Sequence, residues 1–253
     1  MASILSSNVA GGYQFIPAIA PYSAGVVAMP GFEIVHATLQ TLLPWHAGLN
    51  AARRYLEDRN LTCRNLCAVE LRCPQPYPLR GFVEFNDQYR KLLLDWDMMV
   101  DGVNPVARTN VSPVVDPPRE ASLFAFSYAL PSNISRSTFV VAGGGELPDG
   151  ELSERRIVRV GETSPEALLE KAECVAGIMN SRLETLGGNS DLLTVLDVYT
   201  AHPLRPLLES VLLPRLPAIA HRGVHWFYTR PPVIDIEFEM DMRGVVREEV
   251  VSF

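Results

Sequence analysis

The order of predicted secondary-structure elements repeats once along the chain, and this repeat limits the fold more than any single motif does. Apolar runs and amphipathic segments give the order ββαβαββ in the first half and βαβαββ in the second. The offset between the copies is 114 residues, from Arg108 to Arg222 (222 − 108). The repeat predicts an α+β protein of two tandem units, each a mixed β-sheet with two helices on one face.

A polar stretch with a proline, from Leu130 to Arg136, separates two apolar runs and predicts the boundary between the units. The predicted units are residues 1–130 and 137–253. With 253 residues and 47% hydrophobic residues, each unit can bury a core of its own. A sheet with both helices on one face leaves the other face uncovered, so we expect the chain to self-associate.

Local patterns place the elements of each unit. In the first unit we predict a hairpin of 24–29 with 32–37, and helices over 38–58 and 82–96. In the second unit we predict a strand over 138–145 and a helix that begins at Ser164-Pro165 and ends near Leu186. A closing hairpin of 223–228 with 233–240 completes the second unit.

Charge and composition exclude several partners. The chain has 29 acidic and 22 basic residues, a net charge of −7 and no long block of like charge, which argues against nucleic acid and anionic membranes. No apolar run approaches the roughly 18 residues of a membrane span, and the first residues lack a secretory pattern, so we expect a cytoplasmic protein. The four cysteines have no histidine pair at ligand spacing nearby, so we expect reduced thiols and no bound metal.

Several short segments resemble the RidA superfamily of enamine/imine deaminases. Segment 20–27 (APYSAGVV) is similar to the family's opening strand, 85–89 (FNDQY) to its helix motif, and 105–111 (PVARTNV) to its arginine strand. In the second half, 222–228 (RGVHWFY) and 235–239 (DIEFE) resemble the arginine strand and the closing acidic strand. The segments together span most of the chain, although each is short.

The resemblance implies a chorismate-mutase-like fold, a homotrimer, and ligand sites in clefts between units. It also implies that an arginine matching Arg108 or Arg222 holds a substrate carboxylate, and that Glu237 handles water and protons. The first half keeps Tyr22, Asn86 and Arg108 but lacks the acidic residue, whereas the second half keeps Arg222 and Glu237. This complementary loss suggests that working sites form between unlike units.

The residue chemistry agrees with these roles but leaves alternatives open. Arginine matches a carboxylate with two parallel donors, and a glutamate in a half-apolar strand is expected to have a raised pKa. Arg222 and Glu237 could equally form a cross-strand ion pair, and Arg108 a salt bridge. If 235–239 is a regular strand, Asp235, Glu237 and Glu239 share one face, so the catalytic carboxylate could be any of them.

The resemblance and the residues together predict a cofactor-independent deaminase. It would hydrolyse an enamine or imine of a small dicarboxylate, specifically a 2-aminomuconate-type intermediate of aromatic degradation. Two of Arg80, Arg108 and Arg222 would hold the acid groups while Glu237 positions water. The alternatives are a chorismatase-like hydrolase of an enol ether, and a non-catalytic module that binds small metabolites and in which Glu237 is dispensable.

Overall fold

A computed structural model describes residues 5–147 and 156–253. Its strands are β1 (Ser6–Asn8), β2 (Tyr13–Ile16), β3 (Gly25–Ala28), β4 (Phe32–Pro44), β5 (Leu66–Arg72), β6 (Ala107–Pro113), β7 (Ser122–Pro131), β8 (Phe139–Gly145), β9 (Val195–Tyr199), β10 (His225–Phe227), β11 (Thr229–Arg230), β12 (Glu239–Gly244) and β13 (Glu248–Val251). The α-helices are α1 (Trp45–Glu57), α2 (Leu79–Asp95), α3 (Pro165–Thr185), α4 (Leu204–Leu207), α5 (Leu213–Arg215) and α6 (Ile219–Arg222), with a π-helical turn (Leu208–Leu212) between α4 and α5.

The strands form two mixed sheets whose central parts have the same order. The six-stranded sheet is β11-β6-β5-β7-β4-β13, and the seven-stranded sheet is β1-β2-β3-β8-β12-β9-β10. In each sheet a parallel pair, β5 with β6 or β9 with β10, is followed by two antiparallel neighbours, β7 and β4 or β12 and β8. The mixed α+β class predicted from the sequence is therefore present.

Strands near each end of the chain join the sheet that is built mainly by the other half. β3 pairs with β2 and β8, which places the amino-terminal strands in the sheet built mainly by the second half. β13 pairs in parallel with β4, in the sheet built mainly by the first half. The predicted hairpin of 24–29 with 32–37 is wrong, because Pro30-Gly31 connects strands of different sheets. The boundary between 130 and 137 stays a prediction, since each sheet contains strands from both sides of it.

The two sheets pack face to face, and helices cover their outer faces. Buried residues of both sheets form one cluster that includes Tyr13 and Phe15 from one sheet and Ile34 and Ala107 from the other. The helices α1 and α2 pack on the six-stranded sheet, and α3 with the α4–α5 segment packs on the seven-stranded sheet. Each sheet therefore covers the inner face of the other, and the uncovered face from which we expected self-association is absent from the described chain.

Two further local predictions need correction. Helix α1 begins only at Trp45, because residues 38 and 39 pair with β13 and Thr38 and Leu43 pair with β7. The predicted closing hairpin is also wrong, since β10 and β12 lie on opposite sides of β9. The helix predicted from Ser164 is confirmed: the Ser164 hydroxyl accepts a hydrogen bond from the Ala167 N–H at 3.2 Å. No helix of the described residues is long and apolar enough to cross a membrane.

Candidate active site

The side chain of Arg108, on β6, lies in a buried cage of aromatic rings. It is 3% exposed. Its guanidinium carbon lies 4.6–5.8 Å from the ring centroids of Tyr22, Phe82, Phe85 and Tyr89. Burial lowers the pKa of Arg108, because a charged group is stabilised less in an apolar environment than in water. The rings offset part of this cost through cation–π attraction.

Arg108 is a buried cation for which the described residues supply no carboxylate partner. Its Nη2 donates a short hydrogen bond to Oδ1 of Asn86. Within the described part of the chain, no carboxylate lies within ion-pair distance of Arg108, and its Nη1 has no hydrogen-bond partner. Nδ2 of Asn86 and Oη of Tyr89 are likewise buried without partners there. Unpaired buried donors are costly, so an acceptor group from a ligand would bind favourably to these atoms.

A cleft beside this cage combines residues from both halves of the chain. Its walls are formed by Tyr22, Phe82, Arg108, Asn110, Gly143, Gly144, Gly145, Leu147, Arg182, Pro232, Val233, Ile236 and Glu239. The backbone of Tyr77 holds the segment between β11 and β12 through two hydrogen bonds. The Tyr77 N–H donates to the Pro232 carbonyl at 2.8 Å, and the Tyr77 carbonyl accepts from the Ile234 N–H at 3.0 Å. Apolar and aromatic walls that carry a few polar groups are typical of a small-molecule site.

Glu239, at the start of β12, supplies the carboxyl group of the cleft. It is 5% exposed. Burial raises its pKa to about 8, and the neighbouring Glu146 carboxylate reinforces this effect against the guanidinium groups of Arg182 and Arg108. The carboxyl of Glu239 is therefore mainly protonated at neutral pH and can donate a proton.

Glycines at the end of β8 allow two charged groups to approach the backbone. A Cβ at Gly143 would lie 2.3 Å from Oε1 of Glu239, and a Cβ at Gly144 would lie 3.1 Å from Nη1 of Arg182. Arg182, on α3, donates from Nη1 to the carbonyls of Ala142 at 3.1 Å and Gly143 at 3.3 Å. Successive residues of a strand face opposite sides of the sheet, so the acid and the guanidinium approach the end of β8 from its two faces, and both line the cleft.

The structure brings three of the predicted site residues together: Tyr22, Asn86 and Arg108. The other three lie elsewhere. Arg80 has a 92% exposed side chain that pairs with Glu84 at 3.0 Å, and Arg222 is exposed at the end of α6. Oε2 of Glu237 lies 2.8 Å from Nε2 of His202 and not at the cleft wall. None of these three contributes a side chain to the Arg108 cleft.

The position of Glu237 follows from where the strand begins. Asp235 has a φ of 72°, in the left-handed region, and β12 starts only at Glu239. The regular alternation expected from Asp235 to Glu239 is therefore broken. Glu239 alone of the three carboxylates lies within the strand, and its backbone pairs with Gly145 on one side and Tyr199 on the other.

Sequence reasoning did not single out Asn110 and Arg182. Asn110 follows Arg108 by two residues on β6 and so shares its face, and both polar atoms of its side-chain amide are buried without partners among the described residues. Arg182 lies on the apolar stripe of α3, one turn after Met179. An arginine on the apolar face of a predicted helix is a signal that could have identified it.

A buried guanidinium with no carboxylate partner among the described residues and a carboxyl with a raised pKa line the same cleft, an arrangement that can bind a small carboxylate and exchange protons. The comparisons specify the family. A family model described as 2-aminomuconate deaminase CnbZ matches residues 5–249, so the chain belongs to this family.

Comparison with individual proteins gives one close relative and more distant structural neighbours. The 2-amino-5-chloromuconate deaminase of Comamonas testosteroni is 43% identical over 245 residues, which cover 95% of this chain and 96% of the relative. A crystal structure of chorismatase aligns with a TM-score of 0.46 and 13% identity over 92% of this chain and 81% of that one. A cyanuric acid hydrolase aligns with a TM-score of 0.39 and 10% identity over 87% of this chain and 69% of that one.

Proposed function

We propose that this chain is a cofactor-independent deaminase that hydrolyses the enamine or imine form of a 2-aminomuconate-type dicarboxylate. The observation that supports it most directly is the buried Arg108 guanidinium, which has no carboxylate partner in the described chain and lies beside the protonated Glu239. The family and the Comamonas testosteroni relative, whose name specifies an amino-chloromuconate, support the same substrate class.

Binding begins with one substrate carboxylate at Arg108. The unpaired Nη1 donates to this carboxylate, while the hydrogen bond to Asn86 fixes the plane of the guanidinium. The second carboxylate of the substrate extends toward Asn110 and Arg182, the other polar groups of the cleft wall. Exclusion of water by the aromatic cage strengthens each of these contacts.

Glu239 moves the protons of the reaction. Its protonated carboxyl donates a proton to the enamine carbon, and the nitrogen lone pair forms the C=N bond of an iminium ion. The resulting Glu239 carboxylate takes a proton from water as the water oxygen bonds to the iminium carbon. The carboxyl then protonates the amino group, the C–N bond breaks, and the hydroxyl proton returns to Glu239 as the C=O bond forms.

In total, the reaction consumes one enamine and one water molecule and releases one oxo acid and one ammonia molecule. Glu239 ends in its starting state, and every proton transfer uses water or this carboxyl. The tautomerisation makes the carbon electrophilic, so positioning and acid/base catalysis can account for the remaining rate. The family argues against the enol-ether hydrolase and the non-catalytic module that the sequence left open.

The RidA-type architecture is part of the proposal. The matching strand orders β6-β5-β7-β4 and β10-β9-β12-β8 support two tandem units, and the cleft between the halves supports sites formed by unlike units. The homotrimer implied by the resemblance stays a prediction, although its premise of an uncovered sheet face no longer applies.

The test is ammonia release from 2-aminomuconate, generated enzymatically in the assay, by wild-type protein and by Arg108→Met and Arg108→Lys variants. We expect KM to rise roughly 10- to 100-fold in Arg108→Met, because a charge-assisted contact of about 1.5–3 kcal/mol is lost. Lysine is expected to restore little, since it lacks the planar pair of donors. No ammonia from the folded wild-type protein, or a normal KM in both variants, would overturn the proposal.

A further inference from the structure

A fully buried ion pair lies next to the cleft but does not line it. Nζ of Lys171, on α3, lies 3.0 Å from Oε1 of Glu146, and both side chains are 0% exposed. Lys171 also donates to the carbonyl of Val158 at 2.8 Å. Replacing such a pair with apolar groups often leaves stability unchanged or raises it, so stability alone does not explain why this pair is present.

Glu146 binds the backbone that leads into Glu239. Its Oε1 accepts a hydrogen bond from the N–H of Glu237 at 2.6 Å, and its Oε2 accepts one from the N–H of Phe238 at 3.1 Å. These are the two residues before β12, where the chain leaves the turn at Asp235 and enters the sheet. One carboxylate, itself held by Lys171, therefore fixes the point from which the Glu239 side chain projects.

We propose that Glu146, held by Lys171, is a positioning residue that fixes Glu239 in the cleft. The inference rests on the proposed function, in which Glu239 is the acid/base group. Glu146 has a second effect, because its negative charge raises the pKa of Glu239 in addition to the effect of burial. Glu146 thus affects both the position and the protonation state of the Glu239 carboxyl.

Among the described residues, four charged groups act most strongly on Glu239. They are Glu146 after β8, Arg182 on α3, Arg108 on β6 and Arg72 on β5. The three arginines all favour the ionised form of Glu239, and Glu146 is the carboxylate that opposes them. Removing the charge of Glu146 should therefore lower the pKa of Glu239.

The experiment compares Glu146→Gln with the double variant Glu146→Gln/Lys171→Met. The double variant leaves no buried lysine without a partner and is expected to fold. Glu33→Gln is the matched control, because Glu33 is a buried glutamate paired with Arg247 at 2.8 Å and does not line the cleft. The pKa of Glu239 is measured by ¹³C NMR of glutamate-labelled protein, with its signal assigned by comparison with Glu239→Gln.

We expect the pKa of Glu239 to fall in Glu146→Gln, to fall less in the double variant because it also removes the positive charge of Lys171, and to be unchanged in Glu33→Gln. We also expect kcat to fall roughly 10-fold or more with little change in KM, because the acid is displaced while the Arg108 contact remains. A wild-type pKa and wild-type kcat in the folded double variant would overturn the inference. The NMR titration needs no turnover, so a wild-type protein that releases no ammonia would refute the proposed function without removing this test.

Discussion

Two arginines of this protein are almost equally buried, but their surroundings differ. Arg243, on β12, is 6% exposed and pairs with Asp197 at 2.6 Å and Glu248 at 2.8 Å. Burial acts to lower the pKa of Arg243, but the surrounding carboxylates outweigh it and raise this pKa. Arg108 is 3% exposed and has aromatic rings and an amide around it instead, so its pKa is lowered.

The difference is between a buried charge that is compensated by carboxylates and one that has no carboxylate partner among the described residues. Arg243 lies between the sheets with Glu70, Asp197 and Asp241, whose carboxylate oxygens lie within 4.8 Å of one another. Arg243 and Arg72, which pairs with Glu70 at 3.4 Å, compensate this acidic group. No such compensation is present at Arg108 among the described residues, so no carboxylate there offsets the free-energy cost of its burial.

The largest effect expected from this comparison is on stability. Arg243→Met should lower the free energy of unfolding by about 3–5 kcal/mol, because it leaves Asp197 buried without its strongest partner. Arg108→Met is the matched variant and should leave the free energy of unfolding unchanged or raise it, since it removes an unpaired buried charge. Urea denaturation monitored by circular dichroism measures both values. A loss of similar size in both variants would mean that Arg108 also stabilises the fold and would break the comparison.

The sequence predicted one side of the cleft better than the other. Tyr22, Asn86 and Arg108 were found because short local motifs indicate them. Glu239 could be named only as one of three carboxylates, since choosing among them depends on where β12 begins and on its pairing with β8 and β9. Pairings between residues far apart in sequence are not visible in local periodicity.

The same limit applies to the fold. The class, the helix from Ser164 and the α2 motif follow from local patterns, and the structure contains all of them. The exchange of β3 and β13 between the sheets does not follow from such patterns, because the short sequences of these strands, GVVA and EEVV, do not specify which sheet each strand joins. The hairpin predicted near the start of the chain was wrong for this reason, and the closing hairpin was wrong because β9 lies between β10 and β12.

The second-largest effect is expected from replacing Glu239, whose carboxyl lines the same cleft as Arg108. Glu239→Gln should lower kcat by roughly 100-fold or more, because glutamine keeps the volume of the side chain but cannot exchange a proton. Glu237→Gln should have a much smaller effect, since Glu237 contacts His202 and not the cleft. Steady-state ammonia release by both folded variants gives the comparison. If Glu237→Gln abolishes turnover and Glu239→Gln does not, Glu237 is the acid/base group, as predicted from the sequence, and the assignment of Glu239 is wrong.

The smallest effect is expected at the exposed edge of the Arg243 network. Nδ1 of His225 lies 2.9 Å from Oδ1 of Asp197, and the side chain of His225 is 58% exposed. The hydrogen bond with Asp197 raises the pKa of His225 although partial burial opposes it.

A histidine whose pKa is raised on folding stabilises the protein fully below its unfolded pKa of about 6.5, and this contribution is lost as the pH rises through the folded value. The exposure of His225 limits the contribution to less than about 1 kcal/mol. The difference in free energy of unfolding between wild type and His225→Gln, measured in urea at about pH 6 and pH 9, should therefore shrink at the higher pH. Titration of Glu239 occurs in both proteins and cancels in this difference. A difference that grows with pH would mean that folding favours neutral His225, against the direction of its pKa shift. A difference as large as that of Arg243→Met would show that the exposed pair stabilises the fold as strongly as the buried centre, and the contrast between paired and unpaired buried charges would then need another explanation.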